Sequence, residues 1–205
     1  MIRLFIKYHI NLNVSDHQIY MRYLQKALGE GKIDVIQEVI LQRKLDINYK
    51  MGDYGNILQV ALYWGRFDMI QSLIEKGADI NIEGGKYGTA LQMAAYQGHP
   101  ELVKLLVQQG ANINAQASYY GTALQAAIYH GNWIIVEFLV EQGANVNAEG
   151  GYYGTALHIA AYLGHLKIVI YLAGKGANIN AQGPHGTALQ IAKSQGHSEL
   201  VAFLA

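Results

Sequence analysis

Histidine and tyrosine are the side chains of this chain with chemistry to offer. Its 205 residues include 8 histidines and 15 tyrosines and no cysteine. Imidazole can move protons near neutral pH or ligate a metal, and a phenol presents an apolar ring with a polar tip. The missing thiol removes disulfides, thiolate nucleophiles and thiolate zinc sites. The histidines do not gather into a reactive set. His99, His165 and His197 each directly follow a glycine, and His158 lies inside the run ALHIAAY at 156–162. No HExxH, P-loop, Ser/His/Asp set or paired-carboxylate motif appears. Gly84-Gly85 and Gly150-Gly151 stand in turns without the strand-to-helix context that a phosphate loop needs. The chain is therefore read as a non-enzyme with no catalytic residues, no metal site and no cofactor.

The tyrosines, by contrast, recur at a fixed step. Tyr63, Tyr96, Tyr129 and Tyr162 are 33 residues apart, as are Tyr54, Tyr87, Tyr120 and Tyr153, with Tyr119 and Tyr152 doubling the second series. Glycine keeps the same beat. Gly55, Gly88, Gly121 and Gly154 are 33 apart, and Gly31, Gly65, Gly98, Gly131, Gly164 and Gly196 form a second series. A third phrase reads GADIN at 77–81, GANIN at 110–114, GANVN at 143–147 and GANIN at 176–180. Phrases that hold one phase over most of a chain mark internal repeats, and repeats set the fold.

Each repeat translates into helix, turn, helix and loop. Thr89 stands where a hydroxyl can cap a free backbone N–H. Ala90, Leu91, Ala94 and Ala95 then recur at helical spacing, small enough for close packing. Gly98 ends that helix as the residue that tolerates a left-handed conformation. The second helix, PELVKLLVQQ at 100–109, places Leu102, Val103, Leu106 and Val107 on one buried side, and Gly110 stops it. ANINAQASYYGT then crosses to the next repeat as a turn-rich loop.

The text GTALQMAAYQGHPELVKLLVQQGANIN at 88–114 resembles the ankyrin repeat, a 33-residue unit that reads roughly GxTPLHxAAxxGHxxxVxxLLxxGAxxN. The resemblance recurs over nearly the whole chain. It departs at three places. Alanine (Ala90, Ala123, Ala156, Ala188) replaces the proline at the helix start. Glutamine (Gln59, Gln92, Gln125, Gln190) replaces the histidine two places on, except at His158. Tyrosine stands where the consensus hairpin has glycine, until His185. The GTALQ form is similar to repeats of large fungal ankyrin proteins. The resemblance implies an all-α solenoid of about six helix-turn-helix units joined by β-hairpin-like loops. The expected boundaries are 14–49, 50–82, 83–115, 116–148, 149–181 and 182–205, forming one array. Residues 1–13 read either as the tail of a preceding repeat or, from the alternation of Ile2, Leu4, Ile6, Tyr8, Ile10, Leu12 and Val14, as a strand. The last helix, ELVAFLA, lacks the polar outer face that ends a repeat array. Part of a larger protein, or self-association through open array ends, is the corresponding expectation.

The resemblance also implies a binding face. In ankyrin repeats the end of each first helix faces the concave side, where partners bind. Here that column is Tyr63, Tyr96, Tyr129 and Tyr162, followed by Trp64, Gln97, His130 and Leu163; it closes on Ser194. Tyr54, Tyr87, Tyr120 and Tyr153 border the same groove from the hairpins. Aromatic side chains suit recognition because they offer area at little entropic cost. The helix-end column is expected to meet a protein partner, and the hairpin column to pack on itself. On that basis Tyr96→Ala with Tyr129→Ala should leave folding largely intact. Capping roles fall to His99, His165 and His197, and loop bonds to Asn81, Asn114, Asn147 and Asn180. Trp133, Ile134 and Ile170 form a candidate second contact on the outer helices. A small-molecule binder or unusual enzyme using the same aromatic groove is the alternative.

Composition frames these readings. Formal net charge is zero. That argues against nucleic acid as partner, because counterion release needs a basic patch. No apolar run approaches the ~18 residues of a membrane span, and MIRLFIKYHI lacks the cleavage site of a signal peptide. The absence of cysteine fits a reducing compartment, hence an intracellular location, cytoplasmic or nuclear.

Overall fold

The computed structural model describes residues 26, 27, 30, 32, 46–50, 55–117 and 119–205. The expected repeat at 14–49, the segment 1–13 and Tyr54 lie largely or wholly outside them. The chain divides into two compact units, Met1–Gly85 and Lys86–Ala205. In the first, α1 (Ile57–Tyr63) pairs with α2 (Phe67–Glu75). The second contains α3 (Ala90–Gln97), α4 (Pro100–Gln108), α5 (Ala123–Tyr129), α6 (Trp133–Glu141), α7 (Ala156–Tyr162), α8 (Leu166–Gly174), α9 (Ala188–Gln195) and α10 (Ser198–Leu204). The fold is an all-α repeat, and there is no strand among the described residues. Isolated antiparallel bridges stand in the loops, among them Gly150 with Gly154 and Gly183 with Gly186.

Helices this short do not hold in isolation. Stacking holds them: α3 packs on α5, α5 on α7 and α7 on α9, while each packs on its own partner helix. The small residues at helical spacing make this possible. Ala94, Ala95, Ala126, Ala127, Ala160 and Ala161 are fully buried, with Leu91, Leu124, Ile128 and Leu157 filling the space between. On the second helices Val103, Leu106, Ile135, Val136, Leu139, Val169 and Leu172 form the other half of the core.

Each first helix starts from the same device. The caps Asn56, Thr89, Thr122 and Thr187 accept from the backbone N–H three residues on, and the side chain at that position accepts in return from the cap's own N–H. This is the reciprocal capping box. It shows how glutamine fills the slot of the histidine in this chain. In Gln92, Oε1 accepts from Thr89 N–H at 2.6 Å, and Nε2 donates to the carbonyls of Ala115, at 3.1 Å, and Gly121. In Gln125, Oε1 accepts from Thr122 N–H at 2.7 Å, and Nε2 reaches the carbonyls of Ala148 and Gly154 at 3.3 and 2.6 Å. One amide thus closes a helix and ties it to the following loop. The amide also explains its glycine. A Cβ on Gly121, at φ +79°, would lie 1.9 Å from Gln125 Oε1, so the amide occupies the space that any other residue would need.

His158 performs the same task with a ring. Its Nδ1 accepts from Thr155 N–H at 3.1 Å, and its Nε2 lies 3.0 Å from the carbonyl of Ala181. That pattern assigns the proton to Nε2. Burial pushes the basicity of the ring below the usual 6.5. The unfolded chain then binds more protons than the folded one as pH falls below about 6.5, so stability rises with pH through that region and is lost on acidification. Burial lowers His165 in the same direction. His158→Gln keeps both bonds, as Gln125 shows. The variant is expected to match the parent in urea unfolding above about pH 6.5 and to lose less stability below it. Equal losses in the two proteins would mean that His158 is not the titrating group.

Candidate functional site

Loop bonds join successive repeats. Asn114 accepts from Asn145 N–H at 2.8 Å and donates to the carbonyl of Gly143 at 3.3 Å. Asn147 repeats this with Asn178 N–H at 2.7 Å and the carbonyl of Gly176 at 2.9 Å. Within the first unit Asn48 makes the same pair with Asp79 and Gly77. Among the glycine-following histidines, His197 Nε2 reaches the carbonyl of Tyr162 at 3.1 Å.

In the second unit the two tyrosine columns interleave. Ring centroids run Tyr87 to Tyr96 at 5.3 Å, Tyr96 to Tyr120 at 4.4 Å, Tyr120 to Tyr129 at 5.2 Å, Tyr129 to Tyr153 at 6.4 Å and Tyr153 to Tyr162 at 4.8 Å. Helix-end and hairpin rings alternate along one ladder. The hairpin column, expected from sequence to pack on itself, packs here between the rings of the helix-end column. Tyr96 also stacks on Tyr129 at 6.2 Å and meets the edge of His130 at 4.6 Å. The physical reason is reach. A tyrosine at a helix end and one on the next hairpin both lean over the same interval between repeats.

Exposure is graded across this wall. Tyr87, Tyr96, Tyr120, Tyr129 and Tyr153 are half-buried, whereas His130 and Tyr162 are exposed. The ring of Tyr120 packs against Tyr96 and that of Tyr153 against Tyr162. Burial raises both phenols: Tyr153 is pushed up to about 12, and Tyr120 moves in the same direction, with the Tyr96 hydrogen bond adding to it. These two inner phenols therefore keep their protons at neutral pH. Beside Tyr96, the Oε1 of Gln97 is shut off from solvent and has no hydrogen-bond donor. Leu163, at the end of α7, is half-buried. Tyr63 and Trp64 belong to the first unit, where they form their own T-shaped pair at 5.4 Å, 37% and 47% exposed.

The outer helices carry a second aromatic group. Trp133 on α6 packs edgewise on Tyr171 of α8 at 5.0 Å, and Lys167 Nζ sits 3.7 Å from the Trp133 ring centre. Ile134 and Ile170 beside them are 57% and 47% exposed. Trp133 is thus engaged within the fold, and its Lys167 partner, from another helix, has no signal in the local sequence. A cleft of about 270 Å³ between Gly164, Leu166 and the Gly196–Leu200 segment has none of the tyrosines in its lining. Among the described residues no three histidine, aspartate or glutamate side chains converge as a metal site, and no helix is long and apolar enough to cross a membrane.

Stacked helix pairs, left-handed glycine turns and loop-bonding asparagines define a repeat protein whose neighbours stabilise one another. Family models for ankyrin repeats match residues 91–183 and 152–205 (the three-copy form) and 58–107 (the many-copy form). The chain belongs to the ankyrin-repeat family. Proteins of this family generally mediate protein–protein interaction and are typically not enzymes. No curated protein matches the chain.

Proposed function

We propose that the chain is an interaction module that binds a protein partner through the tyrosine-rich face of its second compact unit. The observation that carries this reading is the unbroken ring ladder from Tyr87 to Tyr162, with His130 and Tyr162 open to solvent at its edge. Rings already locked against one another lose little freedom on binding, and phenols supply both apolar area and a hydrogen-bonding tip. Contacts are assigned to Tyr96, Gln97, Tyr129, His130, Tyr162 and Leu163, and in the first unit to Tyr63 and Trp64. An intracellular setting fits such a module.

The test is affinity capture from native extract with the full chain as bait. His130→Glu and Leu163→Glu place a charge on the face without opening the core, and Ile134→Glu is the outer-helix control. A protein retained by the parent and by the Ile134 variant, but lost from the two face variants, is the expected result. Retention by all of them refutes the assignment of the face. A small molecule retained in place of a protein would favour a ligand-binding groove.

A further inference from the structure

One pair of tyrosines stands outside the half-buried ladder. Tyr119 and Tyr152 are 58% and 50% exposed. Their rings stack with centroids 5.7 Å apart and planes 21° from parallel. The backbones beneath are joined as well, since Tyr152 N–H donates to the carbonyl of Tyr119 at 3.2 Å. Gly151 permits this approach. Its φ is +66°, and a Cβ there would lie 2.8 Å from the Tyr119 oxygen and 2.9 Å from Gly121 N. Two phenols 33 residues apart in sequence are thus held side by side, and both are open to solvent.

We propose that Tyr119 and Tyr152 are a modification site, at which a one-electron oxidant couples the two rings into a dityrosine cross-link. Each phenol gives up one electron and its hydroxyl proton and becomes a phenoxyl radical with spin on the ring carbons ortho to oxygen. One ortho carbon of each ring joins the other. The hydrogens on those carbons then move to the oxygens and restore both phenols. Two C–H bonds are replaced by one C–C bond, and two electrons and two protons leave. A haem peroxidase working on hydrogen peroxide takes up both and reduces the peroxide to water.

The geometry favours this pair over its neighbours. Tyr96 and Tyr129 also stack, at 6.2 Å, but both are half-buried. Tyr120 and Tyr153 meet the exposed pair edge-on, at 5.5 and 5.0 Å. Burial makes those two inner phenols hold their protons more tightly. A radical formed on the ladder has rings in contact all the way to the exposed pair, where the proton can leave to water. The cross-link would tie two successive hairpins covalently and restrict the unfolded chain.

The experiment treats the full chain, dilute enough to keep molecules apart, with a haem peroxidase and hydrogen peroxide. Expected are dityrosine fluorescence in the monomeric band, a mass lower by two hydrogens, and a linked peptide pair joining Tyr119 to Tyr152. Tyr119→Phe and Tyr152→Phe keep the stacked rings but lack the phenol, so both should lose the fluorescence. Tyr96→Phe and Tyr129→Phe should keep it. Circular dichroism melts confirm that the variants are folded. The proposal is overturned if the linked peptides map to other tyrosines, if coupling occurs only between molecules, or if either Tyr119→Phe or Tyr152→Phe still cross-links. The site does not depend on the binding face proposed above.

Discussion

Gln125→Ala is expected to lower stability by about 3–5 kcal/mol, from the loss of several buried hydrogen bonds at once. Gln125 is 1% exposed. Its Oε1 is the acceptor for Thr122 N–H, and its Nε2 is the donor to the carbonyls of Ala148 and Gly154, with Gly150 at 3.4 Å. Alanine removes both ends of the amide. A buried donor and at least two carbonyls are then left to find water in a space that the amide had filled, and each unsatisfied group costs roughly 1–3 kcal/mol. The carbonyls belong to the following loop, so the change loosens the seam between α5 and α7 as well as the start of α5. Gln125→His is the diagnostic partner. His158 shows that an imidazole fits this slot with one nitrogen accepting from the cap and the other facing the loop carbonyl. The histidine variant should therefore recover most of the loss at pH above about 6.5, where the ring is neutral. Urea unfolding of the three proteins decides it. An alanine variant within experimental error of the parent, or a histidine variant as damaged as alanine, would show that the amide bridge matters little.

Tyr96→Ala combined with Tyr129→Ala should cost on the order of 3 kcal/mol of stability, because aromatic pairs contribute about 0.5–1.5 kcal/mol each beyond area burial. Tyr96 touches Tyr87, Tyr120, Tyr129 and His130, and Tyr129 touches Tyr120, His130 and Tyr153. The pairs share rings, so their contributions do not simply add. This differs from the expectation drawn from sequence, where the helix-end column meets a partner and its removal leaves folding largely intact. The corresponding phenylalanine variants preserve the stacking and remove only the hydroxyls. They are expected to stay near the parent in thermal melts. Partner binding then separates the two contributions of the wall: if phenylalanine weakens binding without changing the melt, the hydroxyl tips make contact. A double alanine variant that melts with the parent would mean that the ladder in this unit stabilises nothing.

The repeat itself was legible in the residues. Period, helix pairs, caps and glycine stops follow from local rules, because a left-handed turn or a capped N–H is decided within a few residues of chain. Thr-Ala-Leu-Gln also spells the reciprocal cap, a threonine followed three places later by glutamine, so the double role of Gln92 and Gln125 had a readable signal. Its second half did not, because the carbonyls of Ala115 and Ala148 that accept from these amides lie 23 residues away. The asparagine bridges from Asn114 to Gly143 and from Asn147 to Gly176 were expected in kind, since a regular stack places each loop beside the next.

The tyrosines mark where that reading stopped. Their period showed that rings would recur on one face. It could not show whether Tyr96 meets Tyr129, Tyr120 or solvent, because a ring swings several ångströms about its own χ angles while the sequence fixes only the spacing of the backbone. The tertiary packing interleaved the two columns, buried half of each inner ring and left Tyr119 and Tyr152 stacked outside them. For the same reason Trp133, which reads as an exposed residue by position, is closed over by Tyr171 and Lys167 from another helix. What the sequence by itself determined is the repeat and its local joints. Which aromatic groups face each other, and which remain for a partner, was decided only by the distances at which stacked helices bring distant side chains together.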